Sequence, residues 1–326
     1  MKIKNCLPAQ AGKLKIVFIG TPEIGAIVLE KLIEGGYAPV LVVASPDKKV
    51  GRKQIITPPP VKKAAQKHDI PVLQPEKIKD ITQKIQSVNP DLIVVAASSY
   101  IIPKEILDIP KHGSLNVHPS LLPRWRGPSP VQFTILNGDE KAGVTIMKIS
   151  EKLDAGPIVF QKEIALEGKE TNVQLHGKLG EAGGELLVEV IPKWIKGEIK
   201  PENQDEKAAT YSKILKKEDG RIDWKKTAQD LERQIRAFSP WPGSFTFWQR
   251  EKKQIKIEIL KARAYENSAA EKYPTGKTLV APQNHLCVQT GKEFLVVESL
   301  QMEGKKEMNS EDFIRGFSDF IGTILQ

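Results

Sequence analysis

The chain has 326 residues, of which 40% are hydrophobic and 27% charged. That is about two domains' worth of polypeptide with apolar mass for packed cores, which excludes wholesale disorder, a collagen-like fibre and a coiled coil. Its 49 basic and 40 acidic residues leave a net charge of +9, which favours an anionic partner (nucleic acid, phosphate or membrane surface) without choosing among them. No apolar run approaches the roughly 18 residues of a spanning helix, and the stretch before Leu14 lacks the apolar segment of a signal peptide. The two cysteines, Cys6 and Cys287, build neither a disulfide framework nor a four-cysteine zinc site. A cytoplasmic location is expected.

In chain order, Lys15 to Ile19 is a β-branched run that stops at Gly20, and the helical spacing of Ile24, Ile27, Val28, Leu32 and Ile33 follows, closed by Gly35-Gly36. Val40 to Ala44 reads as a second buried strand, and Asp91 to Ala97, introduced by Pro90, as the clearest strand of all. Ser114 to His118 is a further strand that enters a proline-rich turn. Residues 143–149 and 157–164 read as the last strands of this half, and residues 171–194 as a long helix. Continuous apolar runs separated by helical stretches predict an α/β domain with a mostly parallel, Rossmann-like sheet covered on both faces. From Lys196 to Lys217 the chain is polar and reads as an extended connection. Ile222 to Ala237 has helical spacing, stopped by Pro240-Trp-Pro-Gly243. The short alternating segments 244–248, 254–264, 277–281, 285–290 and 294–300 then predict a small antiparallel barrel or sandwich. Two domains result, over 14–198 and 218–326, with a linker over 199–217.

The positive charge lies in patches. Between Asp47 and Lys63 stand Lys48, Lys49, Arg52, Lys53, Lys62 and Lys63 against one acid, whereas 17 basic and 16 acidic residues nearly cancel from Glu218 onward. Within that second part, Arg250 to Arg263 holds six basic residues against Glu251 and Glu258. Gly20-Thr-Pro-Glu-Ile-Gly25 occupies a strand-to-helix turn but departs from the dinucleotide fingerprint, so close strand–helix packing is expected there. Gly276-Lys277-Thr278 imitates the end of a phosphate-binding loop, with Glu271 where the leading glycine belongs. The sequence has no G-x-S-x-G elbow, no H-E-x-x-H and no cysteine cluster near its five histidines, and no metal is expected.

A strand over Ser114–His118 projects Asn116 and His118, two apart, from one face at the carboxyl end, where open α/β sheets hold ligands. An amide that hydrogen-bonds a developing oxyanion, beside an imidazole that moves protons near neutral pH, suits acyl transfer. Asp154, next to Ala155-Gly156, can return to orient that imidazole. The same residues fit a polar strand end capped by a turn, so spacing alone leaves both readings open.

Asn116-Val-His118-Pro-Ser-Leu-Leu-Pro-Arg-Trp-Arg-Gly127, with Gly143-Val-Thr-Ile-Met147 and Leu153-Asp154-Ala-Gly156, resembles the signature of the 10-formyltetrahydrofolate-dependent formyltransferases. Ser45 to Arg52, Arg221-Ile-Asp-Trp224, Ile235 to Gly243, Gly304-Lys-Lys306 and Asp312 to Gly316 narrow the resemblance to the methionyl-tRNA formyltransferase family, over nearly all of the chain after Leu14. The resemblance implies a formyltransferase domain followed by an antiparallel, OB-fold-like tRNA-binding barrel. It also implies formyl transfer from 10-formyltetrahydrofolate to the α-amine of methionine on initiator methionyl-tRNA, for translation initiation. Asn116, His118 and Asp154 are then the expected catalytic residues. Ser120, Leu121, Leu122 and Pro123 match the folate-binding segment, and Lys48, Lys49, Arg52 and Lys53 the loop that contacts the tRNA acceptor end. No metal, membrane or obligate protein partner is implied. Relatives with the same signature formylate amino-sugar nucleotides, and a tRNA-binding protein without catalysis is the non-enzyme alternative. Ser98-Ser99-Tyr100 stands where the family usually has a Tyr-Gly pair, and Pro128-Ser129 replaces paired alanines.

Overall fold

The structure is a computed structural model and describes residues 14–51, 54–265, 273–281 and 285–326. Cys6, Arg52, Lys53 and Glu271 lie outside the described residues. The chain divides into two compact units, one formed by residues up to Arg126 with Gly143–Ile164 and His176–Thr210, the other by Gly127–Ala142, Ala165–Leu175 and Tyr211–Gln326.

In chain order the first part runs β1 (Ile16–Gly20), α1 (Glu23–Glu34), β2 (Leu41–Val43), β3 (Lys48–Val50), β4 (Ile55–Thr57), α2 (Pro60–Lys67), β5 (Val72–Leu73), α3 (Thr82–Val88), β6 (Leu92–Ala96), α4 (Lys104–Leu107) and β7 (Ser114–His118). After α5 (Pro130–Asn137), which clusters with the second unit, come β8 (Lys141–Lys148), β9 (Ile158–Ala165) and α6 (Asn172–Ile195). Seven strands form one sheet in the order β5-β2-β1-β6-β7-β8-β9. β1 pairs in parallel with β2 and β6, and β6 with β7, while β8 turns antiparallel to β7 with Thr145 opposite His118. The chain thus leaves β1 toward one edge and returns on its other side, so the carboxyl ends of β1, β6 and β7 open on the edge that such sheets use for ligands.

The apolar runs behave as their composition requires. Every residue of β1 and β6 is buried. Val17, Ile19, Leu41, Val43, Ile93 and Val95 pack against Ile78, Ile85 and Ile106 on one face. Across the other face α6 lies so close that a Cβ at Gly183 would fall 2.7 Å from the Val117 side chain. Gly20 and Gly25 serve the expected close approach, since a Cβ on either would sit 2.6 or 2.8 Å from the Ala96 carbonyl oxygen. The polar stretch after α6 is hydrogen-bonded into this unit: Glu202 and Ile158 exchange both backbone bonds, at 2.7 and 2.8 Å.

The second unit holds α7 (Ala228–Phe238), β10 (Ser244–Arg250), β11 (Lys253–Tyr265), β12 (Thr278–Ala281), β13 (His285–Gln289), β14 (Phe294–Met302), β15 (Glu307–Asn309) and α8 (Ser310–Gly316). The helix expected from Ile222 begins only at Ala228, because Thr227 caps it by accepting the Asp230 amide at 3.1 Å. Ile222 instead donates its N–H to the Phe245 carbonyl at 2.8 Å, so it enters the core from extended chain, and Trp224 from the turn that follows. The strands form a curled antiparallel sheet, order β10-β11-β14-β13-β12 with β15 on β14. Between Ile259 and Ala262 the register of β11 on β14 shifts, a bulge that lets this long strand bend with the sheet. The two edge strands are joined through residues 322–326. Phe247 and Gln326 exchange backbone hydrogen bonds at 3.0 Å, while Thr278 pairs with Gly322 and Thr323 at 3.0 and 2.9 Å. Trp248 fills the core edge-on to Phe313, Phe317 and Phe320.

Candidate active site

Asn116 and His118 leave β7 on one face at its carboxyl end, as strand alternation requires. Asn116 is half-buried, between Val95 of β6 and Met147 of β8 in register. Its carboxamide has no hydrogen-bond partner among the described residues. His118 is buried, with Nε2 3.1 Å from the Trp125 carbonyl oxygen and Nδ1 3.7 Å from Oδ1 of Asp154. A carbonyl only accepts, so Nε2 carries the proton in the neutral ring and Nδ1 presents its lone pair toward Asp154. At that separation the carboxylate acts through charge rather than a hydrogen bond. Asp154 has φ +49°, inside a turn where the Ala155 amide meets the Lys152 carbonyl at 3.3 Å. Gly156 makes the turn possible, because a Cβ there would lie 1.8 Å from the Lys148 carbonyl oxygen.

The segment after His118 is shaped from inside. Ser120 is buried and donates its hydroxyl to the Arg124 carbonyl at 2.6 Å. Thr145 donates to the Ser120 carbonyl at 2.6 Å and accepts from the Leu122 amide at 3.1 Å. Gln161 Nε2 reaches both Thr145 Oγ1 and the Leu122 carbonyl at 2.8 Å, and the Leu122–Pro123 bond is cis. Leu122 is buried, which leaves Leu121 and Pro123 as the partly exposed members of the quartet. Thr145 lies in the Gly143–Met147 motif and Gln161 outside it; nothing local marks either as a partner of this loop.

Arg126 is only 2% exposed. Its Nε donates to Gln204 Oε1 at 2.9 Å, and its two terminal nitrogens meet the two carboxylate oxygens of Glu206 at 3.0 and 2.9 Å. Those hydrogen bonds, and then the guanidinium charge, hold the Glu206 carboxyl below its ordinary range. Gln204 in turn donates to the carbonyls of Asp154 and Gly156 at 2.9 and 2.7 Å. Gln204 stands in the polar stretch expected as a linker, where no local pattern marks a site.

At the same sheet edge the divergent Ser98-Ser99-Tyr100 is accommodated by a run of hydroxyls. Ser99 Oγ lies 2.6 Å from Ser45 Oγ, and Ser45 Oγ 3.1 Å from Thr21 Oγ1. The Tyr100 hydroxyl donates to the Pro75 and Ala44 carbonyls at 2.6 and 3.1 Å, and burial pushes its pKa up. Lys48 and Lys49 stand exposed on β3, which pairs with β4 as a hairpin. Nearby, Asp47 is hydrogen-bonded by Gln74 at 2.7 Å and Lys62 at 2.9 Å, which lowers its carboxyl pKa. Among the described residues no group of three or more His, Cys, Asp or Glu could hold a metal ion, and no helix is long and apolar enough to cross a membrane.

Two family models match the chain, Formyl transferase over residues 14–191 and Formyl transferase, C-terminal domain, over residues 214–318. Methionyl-tRNA formyltransferase of Bacillus subtilis (strain 168) is 44% identical over 315 residues, 95% of this chain and 97% of that protein. The enzyme of the same name from Halalkalibacterium halodurans is 44% identical over 317 residues, 96% and 98% of the two chains. Among solved structures, HypX from Aquifex aeolicus in complex with tetrahydrofolic acid shares the fold, with a TM-score of 0.61 and 18% identity; 95% of this chain aligns with 48% of that one, so this chain spans about half of HypX. With matched models over both halves and relatives aligned almost end to end, the chain belongs to the methionyl-tRNA formyltransferase family.

Proposed function

We propose that the protein transfers a formyl group from 10-formyltetrahydrofolate to the α-amine of methionine on initiator methionyl-tRNA. The observation that carries this is the 44% identity, over almost the whole chain, to an enzyme of that name; Asn116 and His118 on one face of β7, with Asp154 3.7 Å from the His118 ring, support it. The folate supplies an activated formyl carbon. The half-buried Asn116 carboxamide, without a hydrogen-bond partner among the described residues, fits such a donor, because it can give its N–H to the formyl oxygen as negative charge develops. His118 accepts the proton of the attacking amine at Nδ1, the nitrogen left free for it by the Nε2–Trp125 hydrogen bond, and passes it to the folate nitrogen as the bond from that nitrogen to the formyl carbon breaks and tetrahydrofolate leaves. The charge gained there faces the Asp154 carboxylate, which supports the imidazolium. Leu121 and Pro123 offer the folate an apolar wall, while Ser120 and Leu122 shape the loop from inside.

Lys48 and Lys49, with Arg52 and Lys53, contact the acceptor end of the tRNA, and residues 218–326 hold the RNA through phosphate and ribose. Each phosphate so neutralised steepens the salt dependence of binding. The test is formyl transfer by the purified protein, with methionyl initiator tRNA, methionyl elongator tRNA and an amino-sugar nucleotide compared as acceptors. Strong preference for the initiator is expected, and Arg52→Ala or Lys49→Ala should raise KM for tRNA while leaving KM for the folate unchanged. Transfer to the sugar nucleotide overturns the RNA half of the proposal; no transfer to any acceptor overturns all of it.

A further inference from the structure

The stretch from Glu202 to Thr210 touches the chain on both sides of the His118 ring. On the Nε2 side, Thr210 engages the loop that carries the Trp125 carbonyl: its N–H donates to the Pro123 carbonyl at 3.1 Å, its hydroxyl accepts the Trp125 amide at 2.9 Å, and its carbonyl accepts the Arg126 amide at 2.9 Å. On the Nδ1 side, Glu202 pairs with Ile158, and Gln204 spends both of its N–H donors on the carbonyls of Asp154 and Gly156. Arg126 ties the two sides together, because it follows Trp125 directly and grips Gln204 and Glu206.

The turn needs that support. Asp154 sits in the left-handed region, which a residue with a Cβ disfavours and which persists only where its surroundings over-determine it. Two carbonyls two residues apart, each met by one N–H of a single carboxamide, set both the height and the rotation of the turn. The carboxamide is itself held through its oxygen by the buried Arg126 guanidinium. Resting on the function proposed above, we infer that Gln204, anchored by Arg126 and Glu206, is a positioning residue for formyl transfer that holds the Asp154 carboxylate against Nδ1 of His118.

The test measures kcat, KM for both substrates and Tm in Gln204→Ala, Gln204→Glu, Asp154→Ala and the double variant Gln204→Ala/Asp154→Ala. Gln204→Glu keeps an oxygen for Arg126 Nε but sets an acceptor-only oxygen, which repels, against the two carbonyls of the turn, so it keeps the anchoring of the stretch while disrupting the positioning of Asp154. Both Gln204 substitutions should lower kcat by roughly tenfold, the factor that about 1.4 kcal/mol of barrier corresponds to. KM should stay near the parent value, since the lost contact acts on the chemical step and not on binding. In the Asp154→Ala background, Gln204→Ala should cost nothing further, because the two act as one unit. Full kcat in Gln204→Glu, or additive losses in the double variant, overturns the inference; should Gln204→Ala fail to fold, Gln204→Glu decides alone. Asp154→Ala with parental kcat removes the reading of the site and the inference with it, whereas a loss in Asp154→Ala with none in Gln204→Glu removes the inference only.

Discussion

Replacing Asn116 by alanine separates chemistry from folding unusually well. The side chain is half-buried and makes no hydrogen bond among the described residues, while the backbone of Asn116 stays laddered between Val95 and Met147 whatever the side chain is. Truncation therefore orphans no polar partner among the described residues, and the stability change should stay within about 1 kcal/mol. In the transition state the same carboxamide is assigned a donor to the developing oxyanion, and losing one such donor costs about 2.7–4 kcal/mol, or 10²–10³ in kcat. Single-turnover formyl transfer with saturating folate and methionyl-tRNA reads this term directly, with tRNA affinity measured by filter binding and stability by urea denaturation. A hundredfold or greater loss of rate with parental tRNA affinity and an unchanged denaturation midpoint is expected. A loss that appears in the binding step, or a midpoint that falls in proportion to the rate, refutes the assignment of Asn116 to the oxyanion.

Three further outcomes follow from packing and charge. Trp248→Ala removes a side chain only 1% exposed and edge-on to three phenylalanines; it should cost about 3–5 kcal/mol in chemical denaturation, and a loss below 1 kcal/mol, about the average of any substitution, would show that the ring is not central to that core. Gly156→Ala forces a Cβ to within 1.8 Å of the Lys148 carbonyl unless the turn moves, so it should lower both Tm and kcat; a variant with parental kcat would show that the turn can shift without consequence. The Arg126 hydrogen bonds hold the Glu206 carboxyl below its ordinary range, so the stabilisation is complete above the ordinary carboxylate pKa and disappears as pH falls through the lowered folded value. Denaturation midpoints of the parent and Glu206→Gln should differ at pH 7 and converge once the pH lies below the lowered folded value; a gap independent of pH would exclude the ion pair as its source.

Some elements declare themselves through local pattern. Ile16–Gly20 and Leu92–Ala96 are continuous apolar runs because helices cover both faces of the sheet, and the short alternating segments after Gly243 are half-buried strands of a curled sheet. Other elements escape that logic. Lys48–Val50 and Ile55–Thr57 form a hairpin whose residues are mostly exposed, so no burial pattern marks them. Ile222 and Trp224 fall at the start of the helical pattern that runs to Ala237 but reach the core from the extended chain and turn before the helix, because the Thr227 cap delays it.

The alternation of strands and helices, the family signature, and the shared face of Asn116 and His118 are legible from local spacing, since each depends on residues a few positions apart. That Asp154 stands 3.7 Å from His118, that Thr145 and Gln161 brace the loop after it, and that Gln204 and Arg126 meet across 78 positions follows from the folded chain alone. Periodicity records which side of an element is buried, and carries no information about which distant polar group will meet it there. Those partners are chosen by the strand order β6-β7-β8-β9 and by the path of the chain after α6, where every buried donor and acceptor must find its complement at once.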